Sequence, residues 1–351
     1  MFKVKDCAGT IPAILGMACA MAASNAYAQS PTPLLITATN GAQNSLAVIN
    51  AATKQTVLVP TGGAGGAGGN AGGVAVDGSI AAVVNFGSSN VTIFSREGDA
   101  MVPSQLIATA SKPVSVAFVL GHLGVLGQST LQSFRTNGVK VEPQSDGIVP
   151  LMIGDGSAAQ VVVYNGGAMY TEKTGDIVGV PLGPNGVAGA NTSVALPQAP
   201  NNNTPFGLVG RGNEVYATIA HSNLEALITN GEIVSLAENT LPSVNANGGF
   251  LHAPCWNTLF GQFLFTSDSP GQRLSRYLVS DTNIFFDKPQ VATLNGAPTD
   301  LTVVNSLLAV IDGGSNGISN ITLFELTSEG ELNQAFSLQI AGAINGVGIV
   351  L

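Results

Sequence analysis

The stretch APTDLTVVNSLLAVIDGGSNGISNITLFELTSEGELNQAFSLQI, residues 297–340, holds four short apolar runs separated by polar turns: LTVV, SLLAVIDGG, NITLFEL and QAFSLQI. Runs of about five residues rich in Val, Ile and Leu, bounded by Gly, Asn and Pro, read as strands. A four-stranded sheet of this size cannot bury its own faces and needs neighbours on both sides. Similar entry runs occur at GGVAVDG (72), KPVSVAFV (112), AAQVVVYN (158), TPFGLVG (204), APCWNTLF (253), APTDLTVV (297) and NGVGIVL (345), spaced by 40 to 49 residues. Repeats of that length, each carrying several strands and no sustained period near 3.6, read as an all-β, seven-bladed β-propeller, with six and eight blades the alternative counts. A β-sandwich also shows many short strands, and a single coil of a parallel β-helix is shorter than this repeat.

The chain ends fit ring closure. LLITATNG, from Leu34, matches the second strand of a blade, while the terminal NGVGIVL matches a first strand with nothing after it. The C-terminal strand is therefore expected to complete the first blade, at a loop-closure cost that grows only slowly with length.

Residues 1–28 read as a secretory signal: Lys3 and Lys5, an apolar run from Ile11 to Ala23, then Ala26-Tyr27-Ala28 before Gln29. Residues 29–351 are expected to form a single exported propeller domain, secreted or cell-wall associated, without membrane insertion. The net charge is −9, and −10 without the signal's two lysines and one aspartate, which argues against nucleic acid as a partner. Cys7 and Cys19 lie in the signal, leaving Cys255 alone and no intramolecular disulfide possible. Sequons stand at Asn90, Asn191, Asn202 and Asn320, so a eukaryotic secretory route would produce a glycoprotein.

GGAGGAGGNAGG, Gly62 to Gly73, lacks the Lys-Ser/Thr ending of a phosphate loop and opens no helix. It reads as a flexible connection between the first two blades. His122, His221 and His252 have no metal-ligand spacing and no GxSxG occurs, so no metal and no cofactor are expected. Cys255, before Trp256 at the start of an inner strand, reads as a small buried hydrophobe.

Aligning the second strands (TATNG, AVVNFG, GVLGQS, AMYTEK, TIAHS, FTSDS, AVIDGG) puts Asn40, Asn85, Gln128, Glu172, His221, Asp268 and Asp312 at their ends. In a propeller this end shares a rim with the entry to the first strand, so these residues make a candidate ligand ring around the central channel. Asn and Asp are ordinary turn residues. Glu172 and His221 are less expected there and form a candidate acid/base pair, with His252 facing the same mouth.

The unit APCWNTLFGQFLFTSDSPGQRLSRYLV (253–279), with TNGAQNSLAVINAATKQTVLVPTGGAGG near the start and TPFGLVGRGNEVYATIAHSN in the fifth blade, resembles the lactonase family of seven-bladed propellers. That family includes 6-phosphogluconolactonases and 3-carboxymuconate cyclases. The resemblance implies a cofactor-independent enzyme that opens or closes lactones, using His, Glu and Arg. Of the arginines only Arg211 and Arg273 are placed to reach a rim, and a mouth carrying Glu172, Asp268 and Asp312 favours a neutral substrate. The expected function is a lactonase-like propeller acting on a cyclic ester at one rim. The alternative is a non-catalytic extracellular protein, a monomer whose rim holds a saccharide, another small molecule or a protein.

Overall fold

The computed structural model describes residues 31–119, 121–164, 167–175, 177–187, 192–194, 203–221, 232–237, 243–245, 254–280, 284–313 and 317–351. Pro31–Leu351 forms one compact unit, and the expected signal lies outside the described residues. The unit is an all-β propeller. Its sheets are antiparallel meanders in chain order, such as Pro254–Phe260, Phe263–Asp268, Arg273–Val279 and Ile284–Thr293. One sheet breaks chain order: Asn345–Val350 pairs with Leu34–Ala38, which continues to Ser45–Asn50 and Thr56–Pro60. The C-terminal strand thus completes the first blade, as its lone first-strand pattern required.

The first strands pack against one another around a ring. In order they are Val74–Asp77, Pro113–Val119, Ala158–Tyr164, Asn203–Arg211, Pro254–Phe260, Ala297–Val304 and Asn345–Val350, and the last touches the first. Burial falls from the middle of each sheet outward. The second strands Ile80–Asn85, His122–Gly127, Gly167–Glu172 and Phe263–Asp268 are buried at every residue, whereas Thr56–Pro60, a fourth strand, is almost wholly exposed. A strand covered on both faces carries small and apolar residues continuously, which explains AVV, GVLG and AMYT where alternation would otherwise be expected. The core lies between blades. One cluster joins Leu35 and Ile49 of the first sheet to Ile311 and Leu323 of the last.

Five of the first strands share a second feature. Pairing with the second strand slips by one residue near the start, between Pro113 and Ser115, Ala158 and Val161, Pro205 and Leu208, Pro254 and Asn257, and Pro298 and Asp300. A bulge kinks the strand and re-aims its side chains. In four of these five strands the residue where the slip begins is the Pro of the repeat, at a position where no ladder donor is needed.

Candidate active site at the channel mouth

The bulges give each second-strand end a defined register. Glu172 stands opposite Ala158, Asp268 opposite Pro254 and Asp312 opposite Pro298, so these three occupy one position in their blades. Its equivalents elsewhere are Gly127, opposite Pro113; Ile219, opposite Pro205; and Ala38, opposite Asn345. Gln128 lies one residue beyond this position, and Asn40 and His221 two residues beyond. The seven-residue ring read from the sequence is therefore two tiers. Glu172 and His221 stand on neighbouring blades but on different tiers, because sequence alignment does not count the residue a bulge inserts.

The lower tier is buried and bonded to nearby loops and strand side chains. Glu172 accepts from the Ile153 amide (3.0 Å) and the Gly154 amide (2.7 Å), fixing the turn that leads into its blade. Asp268 accepts from Arg273 Nε (2.8 Å) and more weakly from the Gly271 amide (3.3 Å). Asp312 Oδ1 accepts from Asn320 Nδ2 (2.6 Å), and burial raises its carboxyl despite that bond. Asn85, also fully buried, accepts from Thr61 Oγ1 and Asn44 Nδ2 and donates to Asn90 and Thr92. Turn-forming residues serve this way by satisfying loop backbone and neighbouring polar groups.

In the upper tier, Asn40 Oδ1 accepts from the amides of Gly66 (2.7 Å) and Ala67 (3.0 Å), and its Nδ2 donates to Ala67 O (2.7 Å). Gln128 is half-buried beside Gly156. The backbone of His221 pairs with Asn203, and its side chain lies outside what is described. His252, Asn191 and Asn202 lie outside the described residues altogether.

The Gly62–Gly73 segment is not the flexible connection that its composition suggests. A segment entering Val74–Asp77 should meet only the flanking first strands, and this one also reaches across the ring. The Ala71 amide donates to Ala159 O (3.3 Å), the Gly72 amide donates to Asp300 Oδ2 (2.8 Å), and Gly72 O accepts from the Val116 amide (2.7 Å). Asn70 Nδ2 donates to Asn345 Oδ1 (3.1 Å). Ala71 is fully buried in a cluster with Ala159, Trp256 and Leu301. The segment crosses the channel mouth as a plug. Glycine is needed because backbone passes so close: a Cβ on Gly65 would sit 2.5 Å from the Asn40 carbonyl carbon, and one on Gly72 (φ +66°) 2.7 Å from Ser115 Oγ.

Beside the plug lies a polar patch that the sequence reading passed over. Lys173 Nζ donates to Gly69 O (2.7 Å), and burial lowers its ammonium pKa, with Asp155 acting in the opposite sense. Hydrogen bonds from Ser157 and Thr174 hold the exposed Asp155 carboxyl down to about 2. Lys173 follows Glu172 directly in sequence, and its partner Gly69 is more than a hundred residues away along the chain. Asp300 was also passed over as an ordinary strand residue. Burial pushes its carboxyl up to about 7, against hydrogen bonds from the amides of Gly72, Leu301 and Val347.

Inside the mouth, Phe206 and Trp256 from adjacent first strands meet edge to face with ring centroids 5.4 Å apart. Burial pushes the neighbouring Cys255 thiol up to about 11, so it stays protonated at neutral pH. Away from the mouth, buried His122 Nε2 lies 2.9 Å from Asp146 Oδ2, and Asp146 Oδ1 accepts from Ser133 Oγ (2.7 Å). That pair ties the long 136–146 connection to its blade. Among the described residues no group of three or more His, Cys, Asp or Glu is placed to hold a metal ion, and no helix is long and apolar enough to cross a membrane.

The two described sequons differ. Asn90 is half-buried, and its Nδ2 donates to Ser88 O (3.2 Å). Asn320 is 4% exposed with its Nδ2 donated to Asp312, so the atom that a glycan would occupy is enclosed. The fold has no room for a glycan there.

No family model matches the chain, and no curated protein matches it by sequence. Solved structures do match by shape. A Bacteroides fragilis protein assigned as a 6-phosphogluconolactonase aligns with a TM-score of 0.65 at 13% identity, covering 92% of this chain and 99% of that one. A Bacteroides uniformis protein with the same assignment gives 0.62 at 16% identity, over 92% and 100%. The periplasmic gluconolactonase of Pseudomonas aeruginosa gives 0.62 at 14% identity, over 91% and 99%. This chain shares the β-propeller fold of those lactonase-like proteins over nearly their whole length.

Proposed function

We propose that this chain is an exported, monomeric, seven-bladed lactonase-like propeller that opens or closes a neutral lactone or cyclic ester at the channel mouth, without a cofactor. Seven sheets counted among the described residues, and first strands that touch in a closed cycle, support the blade count. The observation that carries the functional reading is the patch around the plug. Lys173, Asp155 and Thr174 stand beside Glu172 on the mouth face, in a fold shared end to end with proteins assigned as lactonases.

In this reading a water attacks the ester carbonyl, the ring C–O bond breaks, and the departing oxygen takes up a proton. His221 carries the proton, with His252 the second candidate for that role. Glu172, with a lone pair left on each carboxylate oxygen after binding the 153–154 amides, orients His221. The Lys173 ammonium stabilises the oxyanion.

His221→Ala is expected to lower kcat/KM on a panel of neutral lactones by about 100-fold or more. Glu172→Gln, which keeps one acceptor for the turn, should lower kcat more than it lowers Tm. Unchanged hydrolysis in both variants would remove this mechanism.

One observation favours the second reading, a non-catalytic extracellular binding protein. The plug crosses the mouth and four end-of-strand side chains are committed to neighbouring groups of the protein, so the rim offers a surface more than a cleft. No hydrolysis across the panel, together with saccharide or protein binding sensitive to Lys173→Ala, would select it. An exported location and glycosylation at Asn90, Asn191 or Asn202 belong to either reading, and glycosidase treatment of native protein tests the latter.

A further inference from the structure

Three buried oxygens on one face of the Pro254–Val279 sheet have no hydrogen-bond partner among the described residues: Asn257 Oδ1, Thr266 Oγ1 and Tyr277 OH. Their residues are 4%, 0% and 0% exposed. The strand register gathers them. Asn257 stands directly opposite Thr266, Thr266 opposite Ser275, and Tyr277 follows two residues on from Ser275, so all lie on the same face. Asn257 Nδ2 donates to Tyr216 O (2.9 Å), which turns that face toward the preceding blade, where Tyr277 packs with Tyr216 and Leu264.

Tyr277 stands opposite Leu264, and the charge of Asp268, four residues further along that strand, acts with burial to raise its hydroxyl pKa. Two residues along a strand span roughly 7 Å, about the length of a tyrosine side chain, so a ring laid toward Asp268 brings its hydroxyl level with Thr266.

A buried polar atom left unpaired costs about 1–3 kcal/mol, and three on one face is an improbable clustering of such losses. We infer that Asn257 Oδ1, Thr266 Oγ1 and Tyr277 OH form a binding site for one ordered water between the fifth and sixth blades. The inventory fits this ligand. A water donates one hydrogen to the acceptor-only Asn257 Oδ1 and exchanges a donor and an acceptor with the two hydroxyls, reaching the usual three partners. A metal cation would want more oxygens and a formal charge among them.

The test exploits opposite signs. Thr266→Val and Tyr277→Phe each delete one oxygen with little change of shape. If the oxygens are dry, each variant removes an unsatisfied polar group and Tm rises. If a water joins them, each variant strands the others and Tm falls, with the double variant losing less than the sum because both share one water. A crystal structure of the wild type is expected to show one density peak within about 3 Å of all three oxygens. Absence of that peak, a rise in Tm for both single variants, or a Tm that follows the choice of Na⁺ or K⁺ overturns the proposal.

Discussion

Asp300 shows what a single residue contributes to this fold. Its carboxyl is buried and pushed up to about 7, while an unfolded aspartate titrates near 3.9. Between about pH 4 and 7 the unfolded chain has released a proton that the folded chain still holds, so stability falls as pH rises through that window and levels off above it. Asp300→Asn keeps an oxygen for the Gly72 amide and removes the ionisation. The unfolding free-energy difference between variant and wild type, measured by urea denaturation, should therefore grow in the variant's favour from pH 4.5 to 7.5, by an amount on the order of a few kcal/mol. A difference independent of pH would contradict this assignment. Cys255 gives a second residue-scale prediction. With its thiol pushed up to about 11 by burial, it should react with a disulfide reagent at pH 8 at least about tenfold more slowly in folded than in urea-unfolded protein.

At the scale of elements, the glycine plug is the part whose composition misleads. Gly62 and Gly72 both hold positive φ, +77° and +66°, but a Cβ on Gly62 meets nothing within 4 Å whereas one on Gly72 meets Ser115 Oγ. Gly62→Ala should cost only the left-handed backbone penalty, about 1–2 kcal/mol. Gly72→Ala should cost more, because it adds the clash and loosens the contact with Asp300. Urea denaturation measures the difference, and equal losses would mean that the plug tolerates displacement. Trp256 reports on the same element. It is the only tryptophan, 4% exposed in a cluster with Ala71, so acrylamide should quench it poorly in the wild type and more strongly in Gly72→Ala.

For the whole molecule, the decisive contact is between the two ends of the described unit. Asn345–Val350 pairs with Leu34–Ala38 and packs against both neighbouring first strands. Ending the chain at Gly342 would uncover Leu35, Ile36 and Val83 together, and blades that rely on neighbours for burial would lose both faces of one interface. Such a truncation should lose its cooperative urea transition, and a cooperative transition of unchanged midpoint would show that closure is dispensable.

The sequence by itself determined the strands, the repeat and the terminal closure, because each depends on local patterning: short apolar runs, a Pro or Gly at each entry, and a first strand left without its blade. It also aligned Glu172, Asp268 and Asp312, which the strand register sets opposite Ala158, Pro254 and Pro298. Only the tertiary structure decided their level. A one-residue bulge leaves the hydrophobic pattern intact while shifting every residue beyond it, so Asn40, Gln128 and His221 were aligned with residues that they stand above. The tertiary structure likewise decided that Gly62–Gly73 is a plug, since a run of glycines looks alike whether it is free or packed too closely for side chains. The polar partners Lys173 and Asp300 were invisible for the same reason: their contacts cross the ring, and nothing in neighbouring sequence records them.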